Sequence, residues 1–182
     1  DIITVKHLQP ISSLSHVRAK IYGKELVEKA YLDIISDIVD GLYSNIELAA
    51  FVTACAGNRM SVNEMVYLTR AMIHTGQQIK WEPAVIYDKH CVGGIPGNRT
   101  TPIVVSIAAE AGLIIPKTSS KAITSPAGTA DMMETITRVN LSIEEMQEVV
   151  RKENACLVWG GSVKLSPADD LMIYVEKALD ID

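Results

Sequence analysis

Apolar side chains in the first part of the chain recur at the spacing of amphipathic helices. One stripe follows positions i, i+3, i+4, i+7, i+8 and i+11 before Gly41, and its members are Val27, Ala30, Tyr31, Ile34, Ile35 and Ile38. A shorter stripe of Leu14, Val17 and Ile21 precedes Gly23, a residue typical of helix ends. These periodicities predict that residues 11–76 form an all-helical unit.

Two N-terminal capping boxes predict further helices in this unit. Ser44 stands three residues before Glu47, and Ser61 stands three residues before Glu64, so each pair can satisfy two free helix N–H groups. The helix from 46 to 56 is apolar almost all round and is predicted to be central. The next helix carries the apolar positions Met65, Leu68, Met72 and Ile73.

The pattern changes after residue 80 to short apolar runs that alternate with helical segments. Strands are predicted at 84–87, 113–115 and 155–159, with helices at 101–111, from Pro126, after Ser142 and from Pro167. Such alternation is typical of a parallel, helix-covered sheet. The predicted fold is α/β, a helical bundle domain followed by part of a mostly parallel α/β sheet domain. The predicted bounds are 1–80, 81–165 and a helix at 166–182 that returns towards the helical domain.

Composition narrows the class of protein. The chain has 182 residues, 48% of them hydrophobic, and a net charge of −5 without a basic run, so nucleic acid is not an expected partner. No apolar run approaches the roughly 20 residues of a membrane span, so no membrane partner is expected. Three scattered cysteines without a CxxC pair predict neither a disulfide framework nor a zinc site, and favour a cytoplasmic location.

The densest candidate chemistry is the loop at residues 88–101, which reads DKHCVGGIPGNRTT. It follows a predicted strand and precedes a helix, which places it where α/β sheets bind ligands. Its glycines allow backbone N–H groups to approach an anion, Lys89 adds charge, and Thr101 stands at a helix N-terminus. A plain glycine-rich turn is the alternative. The spacing of the glycines fits neither a Walker A loop nor a dinucleotide fingerprint.

A second polar loop at residues 117–129, KTSSKAITSPAGT, combines six hydroxyls with two lysines and again lies between a strand and a helix. A glycine pair after Trp159 follows the third strand. We expect the three loops to converge on one crevice, because the carboxyl ends of parallel strands lie at one edge of a sheet. Cys91 beside His90 is a weak candidate for a nucleophile, since sequence neighbours rarely face each other and no orienting acid is placed.

At these residues the chain resembles the thymidine/pyrimidine-nucleoside phosphorylase family, in the branch with AMP phosphorylases and bacterial thymidine phosphorylases. The similar stretches are DKHCVGGIPGNRTT, IPKTSSKAITSPAGTADMMET, LVWGG, LSPADD and, in the helical part, ELAAFVTA and LTRAMIHTG. The resemblance implies a pentosyltransferase that phosphorolyses thymidine to thymine and 2-deoxyribose 1-phosphate. It also implies a homodimer through the helical unit and no cofactor or metal.

The resemblance also implies roles for individual residues. Phosphate is expected at Lys89, Cys91, Gly93, Gly94, Thr101, Ser119 and Thr129. The nucleoside or nucleotide is expected at Ser120, Lys121, Ala122, Ile123, Thr124 and Ser125. His90 is expected near the sugar and base, and Asp182 as the proton donor; both are the catalytic candidates.

Some positions depart from the family, and three other functions stay open. Cys91 stands where the family usually has serine, Lys177 lies near a usual arginine, and the family continues beyond Asp182 with base-contacting residues. The chain by itself is therefore expected to bind phosphate without appreciable release of base, and the C-terminal portion of the family is expected to restore release. The alternatives are an AMP phosphorylase and a non-catalytic phosphate-binding dimer module. A phosphoribosyltransferase that uses Asp169 and Asp170 for magnesium is a further possibility.

Overall fold

A computed structural model describes residues 10–81, 85–91, 99–122 and 127–180. The chain divides into two compact units, of which the first ends at Thr75 and the second begins at Gly76. The helical-bundle and parallel α/β character of the predicted fold class is confirmed. The finer bounds 1–80, 81–165 and 166–182, the return of the last helix towards the helical unit and the homodimer stay predictions.

From residue 10 onwards the first unit forms four helices, α1 (Leu14–Ile21), α2 (Glu28–Val39), α3 (Asn45–Cys55) and α4 (Val62–Thr75). Helix α2 contacts α4, and α1 contacts α3. The predicted stripe of α2 is confirmed, because Tyr31, Ile34 and Ile35 are fully buried. Only Val27, one residue before the helix, is exposed.

The apolar faces predicted for α3 and α4 were partly wrong. Ile46 is 79% exposed on α3, and Met65 and Ile73 are about half exposed on α4. Helix α4 instead buries Glu64 and Ala71, which lie two turns apart. The reason is electrostatic, since the buried face of α4 is selected by a partner for Lys20 of α1 rather than by the apolar positions.

Glu64 is the polar centre of the helical unit. Its carboxylate accepts hydrogen bonds from the Lys20 ammonium at 2.6 and 2.7 Å, the Leu26 N–H at 2.9 Å, the Tyr31 hydroxyl at 3.0 Å and the Ser61 N–H at 3.0 Å. Burial raises the pKa of Glu64, but these donors outweigh burial and lower the pKa to about 2. The capping box predicted at Ser61 is therefore confirmed, and it is part of this network.

The described residues of the second unit form two paired strands and four α-helices. Strand β1 (Ile115–Ser119) pairs in parallel with β2 (Ala155–Trp159), and the helices are α5 (Thr100–Glu110), α6 (Thr129–Glu134), α7 (Ile143–Glu153) and α8 (Pro167–Leu179). A 3-10 turn at Gly160–Val163 follows β2. The core beside the sheet contains Met146, Val150, Cys156, Val158 and Val163.

Local signals predicted the helices of this unit better than the strands. The strand at 155–159 is confirmed. The strand predicted at 113–115 shares only Ile115 with β1, which begins two residues later than predicted and continues to Ser119. In the described residues 85–91, Ile86 makes a single parallel bridge to Ile114 rather than a strand. The helix predicted from Pro126 begins at Thr129, and Ala84 and Pro126 lie outside the described residues.

No helix within the described ranges is both long and apolar enough to cross a membrane.

We expect Glu64→Gln to destabilise the helical unit by about 3–5 kcal/mol, because it leaves the buried Lys20 ammonium without a charged partner. Urea unfolding followed by far-UV circular dichroism measures this loss. Glu28→Gln is the matched control, since its ion pair with Arg70 is more than half exposed on both sides, and it should change the unfolding free energy by under about 1 kcal/mol.

The same carboxylate gives the unfolding free energy a defined pH dependence. The folded pKa of Glu64 is about 2, below the ordinary value of 4.5, so its contribution is fully present above about pH 4.5 and is lost as the pH falls towards 2. Wild type should lose more stability than Glu64→Gln over that interval. Equal slopes for the two proteins would contradict the assignment.

Candidate functional site

A cavity of about 920 Å³ lies in the second unit, beyond the carboxyl ends of β1 and β2. Five parts of the chain contribute to its wall. They are Asp88, His90 and Cys91 before α5, Thr101 in α5, residues 117–121 at the end of β1, residues 127–129 at the start of α6, and residues between Trp159 and Lys177 of α8. The parallel register places Ser119 opposite Trp159, so the ends of both strands open into the same space. The convergence expected for the three polar loops is thus present among the described residues.

Several of the predicted site residues line this cavity. They are His90, Cys91, Thr101, Ser119, Ser120, Lys121 and Thr129. Lys89 and Ala122 are described but do not line the cavity. Gly93, Gly94, Ile123, Thr124, Ser125 and Asp182 lie outside the described residues.

Lys89 does not line the cavity, but it contacts two side chains that do. Its ammonium contacts the Cys91 Sγ atom and donates to the Thr101 Oγ1 atom at 2.9 Å. The Cys91 Sγ and Thr101 Oγ1 atoms are themselves 3.4 Å apart. Thr101 is 1% exposed in the first turn of α5, so Lys89 ties the loop before the helix to the helix start.

This contact changes the chemistry of Cys91. The Lys89 ammonium, followed by the Thr101 hydroxyl, lowers the pKa of the Cys91 thiol below its ordinary value. Burial has the opposite effect elsewhere and raises the pKa of Cys55 to about 11 and that of Cys156 to about 12. Cys91 is therefore the cysteine with the greatest thiolate character in this chain.

The second polar loop is closed at its base by Asp131. Its Oδ2 atom accepts from the N–H of Ala122 at 2.7 Å and from the N–H of Gly128 at 2.8 Å. A Cβ atom on Gly128 would lie 2.8 Å from the Ser120 carbonyl oxygen, so a larger residue does not fit. The two walls that these segments form are thereby fixed relative to each other.

Trp159 forms an aromatic part of the wall. The Lys121 ammonium lies 4.8 Å from the centroid of its ring and pairs with Glu134 at 2.8 Å. A Cβ atom on Gly161 would lie 2.5 Å from the Trp159 indole, which explains why glycine stands at that position. The glycine pair after β2 therefore makes room for the ring as well as forming a turn.

Sequence reasoning gave no role in ligand binding to some charged and aromatic residues of the wall, chiefly Lys117 and Tyr174. The available signal for Lys117 was its place as the first residue of the second polar loop, where it is one of the two lysines. Asp169 and Asp170 also line the cavity. Burial raises the pKa of both carboxyls, and the charge of Asp170 raises the pKa of Asp169 further.

In the described part of the chain, no group of three or more His, Cys, Asp or Glu side chains could hold a metal ion.

Two domain families match the chain in succession. The helical bundle domain of the glycosyl transferase family matches residues 15–76, and the a/b domain of the same family matches residues 83–182. Together these matches cover most of the chain.

Individual relatives agree with this assignment. A protein of Hahella chejuensis named "Putative thymidine phosphorylase" is 54% identical over 182 residues, which is 100% of this chain and 36% of that protein. One of Cupriavidus necator named "Putative thymidine phosphorylase 1" is 57% identical over 100% of this chain and 35% of its own length. The chain thus spans about a third of the length of these relatives.

A solved structure shows the same fold. Anthranilate phosphoribosyltransferase from Thermus thermophilus superposes with a TM-score of 0.73 at 19% identity, over 91% of this chain and 51% of that chain. This likeness concerns the fold alone. With the two domain matches in their characteristic order, the chain belongs to the glycosyl transferase family that joins a helical bundle domain to an α/β domain.

Proposed function

We propose that the cavity binds inorganic phosphate and a nucleoside, and that the protein phosphorolyses the N-glycosidic bond of a pyrimidine nucleoside. For thymidine the products are thymine and 2-deoxyribose 1-phosphate. The observation that carries the proposal is the convergence of ammonium, hydroxyl and helix N-terminal groups on one cavity at the ends of two parallel strands. The names of the similar proteins support the choice of a pyrimidine nucleoside.

The reaction requires an anion beneath the sugar. A phosphate oxygen forms a bond to the anomeric carbon while the bond from that carbon to the base nitrogen breaks, and the bonding pair leaves with the base. Positive charge develops on the sugar ring in the transition state, and the bound phosphate stabilises it. Thr101 and the free N–H groups at the start of α5 are suited to hold that phosphate.

The departing base requires a proton or a hydrogen bond. His90 and Asp182 are the proposed donors, and His90 lines the cavity. Asp169 is a further carboxyl group in the wall, and its raised pKa favours the protonated form that can donate. Trp159 provides an aromatic surface in the same wall.

A nucleoside 5′-monophosphate is the second candidate substrate. Lys121 and Lys177 line the cavity from the second polar loop and from α8, so cations are present on more than one wall. Such cations suit a substrate that carries a phosphate group of its own in addition to the attacking phosphate.

We expect phosphate-dependent release of free base when a form of the protein as long as its relatives is incubated with the preferred substrate. Thymidine, uridine, thymidine 5′-monophosphate and AMP are compared with phosphate, with pyrophosphate and magnesium, and with neither, and the base is quantified by chromatography. Release that requires phosphate supports the proposal. Release only with pyrophosphate and magnesium would indicate phosphoribosyl-type chemistry, and phosphate binding without release would indicate a binding module.

Cys91 provides an independent measure of phosphate occupancy. At pH 7 iodoacetamide should alkylate Cys91 at least about tenfold faster than Cys55 or Cys156, because its pKa is lowered and theirs are raised. Saturating phosphate should slow the reaction at Cys91 and leave the rates at Cys55 and Cys156 unchanged. Peptide mass spectrometry measures the three rates. An alkylation rate at Cys91 that is insensitive to phosphate would contradict a phosphate site in this cavity.

Cys91→Ser should retain phosphate binding, since serine has a similar volume and a stronger hydroxyl donor. Calorimetric titration of phosphate into this variant shows whether the Cys91 thiol, which reacts with iodoacetamide, is also needed for phosphate binding. Clearly weaker binding would mean that the thiol itself is needed.

Asp131→Ala should reduce base release by at least about tenfold, because small misplacements of reacting groups are costly. The variant frees the Ala122 and Gly128 N–H groups and thereby loosens the two walls. Asp131→Asn, which keeps an acceptor oxygen, should recover part of the loss. Glu153→Ala, an exposed acid at the end of α7, is the control. Unchanged kcat/KM in Asp131→Ala, with base release assayed as above, would exclude a positioning role.

A further inference from the structure

Two lysines in the described part of the chain are almost completely buried. Lys20 is 3% exposed in the helical unit, and Lys117 is 8% exposed in the α/β unit. Removing a single ammonium from water costs on the order of several kcal/mol of free energy. Hydrogen-bonded or charged partners must offset this cost. The two lysines meet this cost in different ways.

Lys20 has a complete set of partners within the protein. Its ammonium donates to both carboxylate oxygens of Glu64 and to the Arg59 carbonyl oxygen at 2.7 Å. Three acceptors match the three N–H groups of an ammonium. Glu64 is itself 1% exposed, so this ion pair is shielded from water on both sides.

Lys117 has a weaker partner. Among the described residues its ammonium pairs with the Asp88 Oδ1 atom at 3.1 Å, and the Asp88 side chain is 63% exposed. An ion pair with such an exposed carboxylate contributes about 0–1 kcal/mol, less than the cost of burying the ammonium. One carboxylate oxygen also leaves further N–H groups of the ammonium available for an acceptor.

The position of Lys117 directs it to the cavity. Lys117 lies two residues after the buried Ile115 on β1. Side chains alternate between the two faces of a strand, so Lys117 and Ile115 share a face. An apolar residue is expected at such a buried position. The Lys117 side chain instead reaches the wall that also contains Asp88, Cys91 and Thr101. The charge of Lys117 contributes to the lowered pKa of the Cys91 thiol, which agrees with this proximity.

We propose that Lys117 binds an oxygen of the phosphate in this cavity and that Asp88 is its counter-ion only while the phosphate is absent. Lys89, which the sequence pattern favoured for this contact, acts through the two side chains it holds, Cys91 and Thr101. The inference rests on the proposed function, because it assigns a residue to the phosphate of that same reaction. It makes the buried ammonium a ligand-binding group rather than a structural one.

A purely structural ion pair gives different expectations. If Lys117 and Asp88 only stabilise the fold, neutralising either one lowers the melting temperature and neither changes phosphate affinity. If Lys117 binds phosphate, its removal weakens binding, whereas removal of the Asp88 carboxylate frees the ammonium and removes a repelling charge. The two substitutions then change the phosphate affinity in opposite directions.

The test is calorimetric titration of inorganic phosphate into wild type, Lys117→Met, Asp88→Asn and Lys80→Met. Methionine keeps the length of the lysine stem and suits a buried strand position. Lys80 is exposed and does not line the cavity, so its substitution controls for the loss of one positive charge. Thermal unfolding of each protein without phosphate checks that it is folded.

We expect Lys117→Met to weaken phosphate binding at least about tenfold, as for loss of a charge-assisted hydrogen bond. Asp88→Asn should bind phosphate about threefold more tightly or better, and Lys80→Met should match wild type within about twofold. Phosphate binding by wild type with equal affinity in Lys117→Met would overturn this inference and leave the proposed function intact.

If wild type binds no phosphate, both the proposed function and this role for Lys117 are wrong. If Lys117→Met does not fold, Asp88→Asn decides the question. Tighter binding in Asp88→Asn supports the inference, and unchanged or weaker binding overturns it.

Discussion

The parallel register of β1 and β2 is the constraint on which the candidate site depends. Ile115 pairs with Ala155 at one end and Ser119 with Trp159 at the other, so both chains leave the sheet at the same edge. From that edge the chain continues into the second polar loop on one side and into the 3-10 turn and α8 on the other. A shift of β1 by one residue relative to β2 would turn the inward side chains of β1 outward, and it would separate Lys117 from the cavity wall.

Local chemistry made most helices predictable from the sequence. Capping boxes at Ser44, Ser61 and Ser142 each form, because the two hydrogen bonds of such a box involve residues only three positions apart. The start of β1 was less predictable, because a strand begins where its neighbour pairs with it, and Ala155 lies forty positions along the chain from Ile115. The buried face of α4 was misread because its selection by Lys20 is likewise a non-local effect.

The sequence predicted the location of the candidate site better than it predicted which side chains contact one another there. Glycines, hydroxyls and lysines after successive strands indicated a ligand-binding crevice, and the described residues of those loops do line one cavity. The pattern could not show that Lys117 lines the cavity while Lys89 contacts Cys91 and Thr101 instead, since both outcomes depend on tertiary contacts. The clamp that Asp131 makes on Ala122 and Gly128 is also invisible to a motif, because it joins two backbone positions through a third residue.

The two units treat buried charge in opposite ways, and this contrast connects stability to function. In the helical unit, Lys20 and Glu64 satisfy each other within the fold, and Leu26, Tyr31 and Ser61 supply the remaining donors. In the α/β unit, the nearly buried Lys117 faces a solvent-exposed carboxylate at the edge of a cavity. A fold gains nothing in stability from an ammonium placed that way, since an apolar residue would fill the same position on β1 at lower cost. Under the function proposed above, bound phosphate offsets the cost of burying the Lys117 ammonium. An interaction that does not stabilise the empty fold therefore strengthens phosphate binding, and bound phosphate in turn stabilises the folded protein.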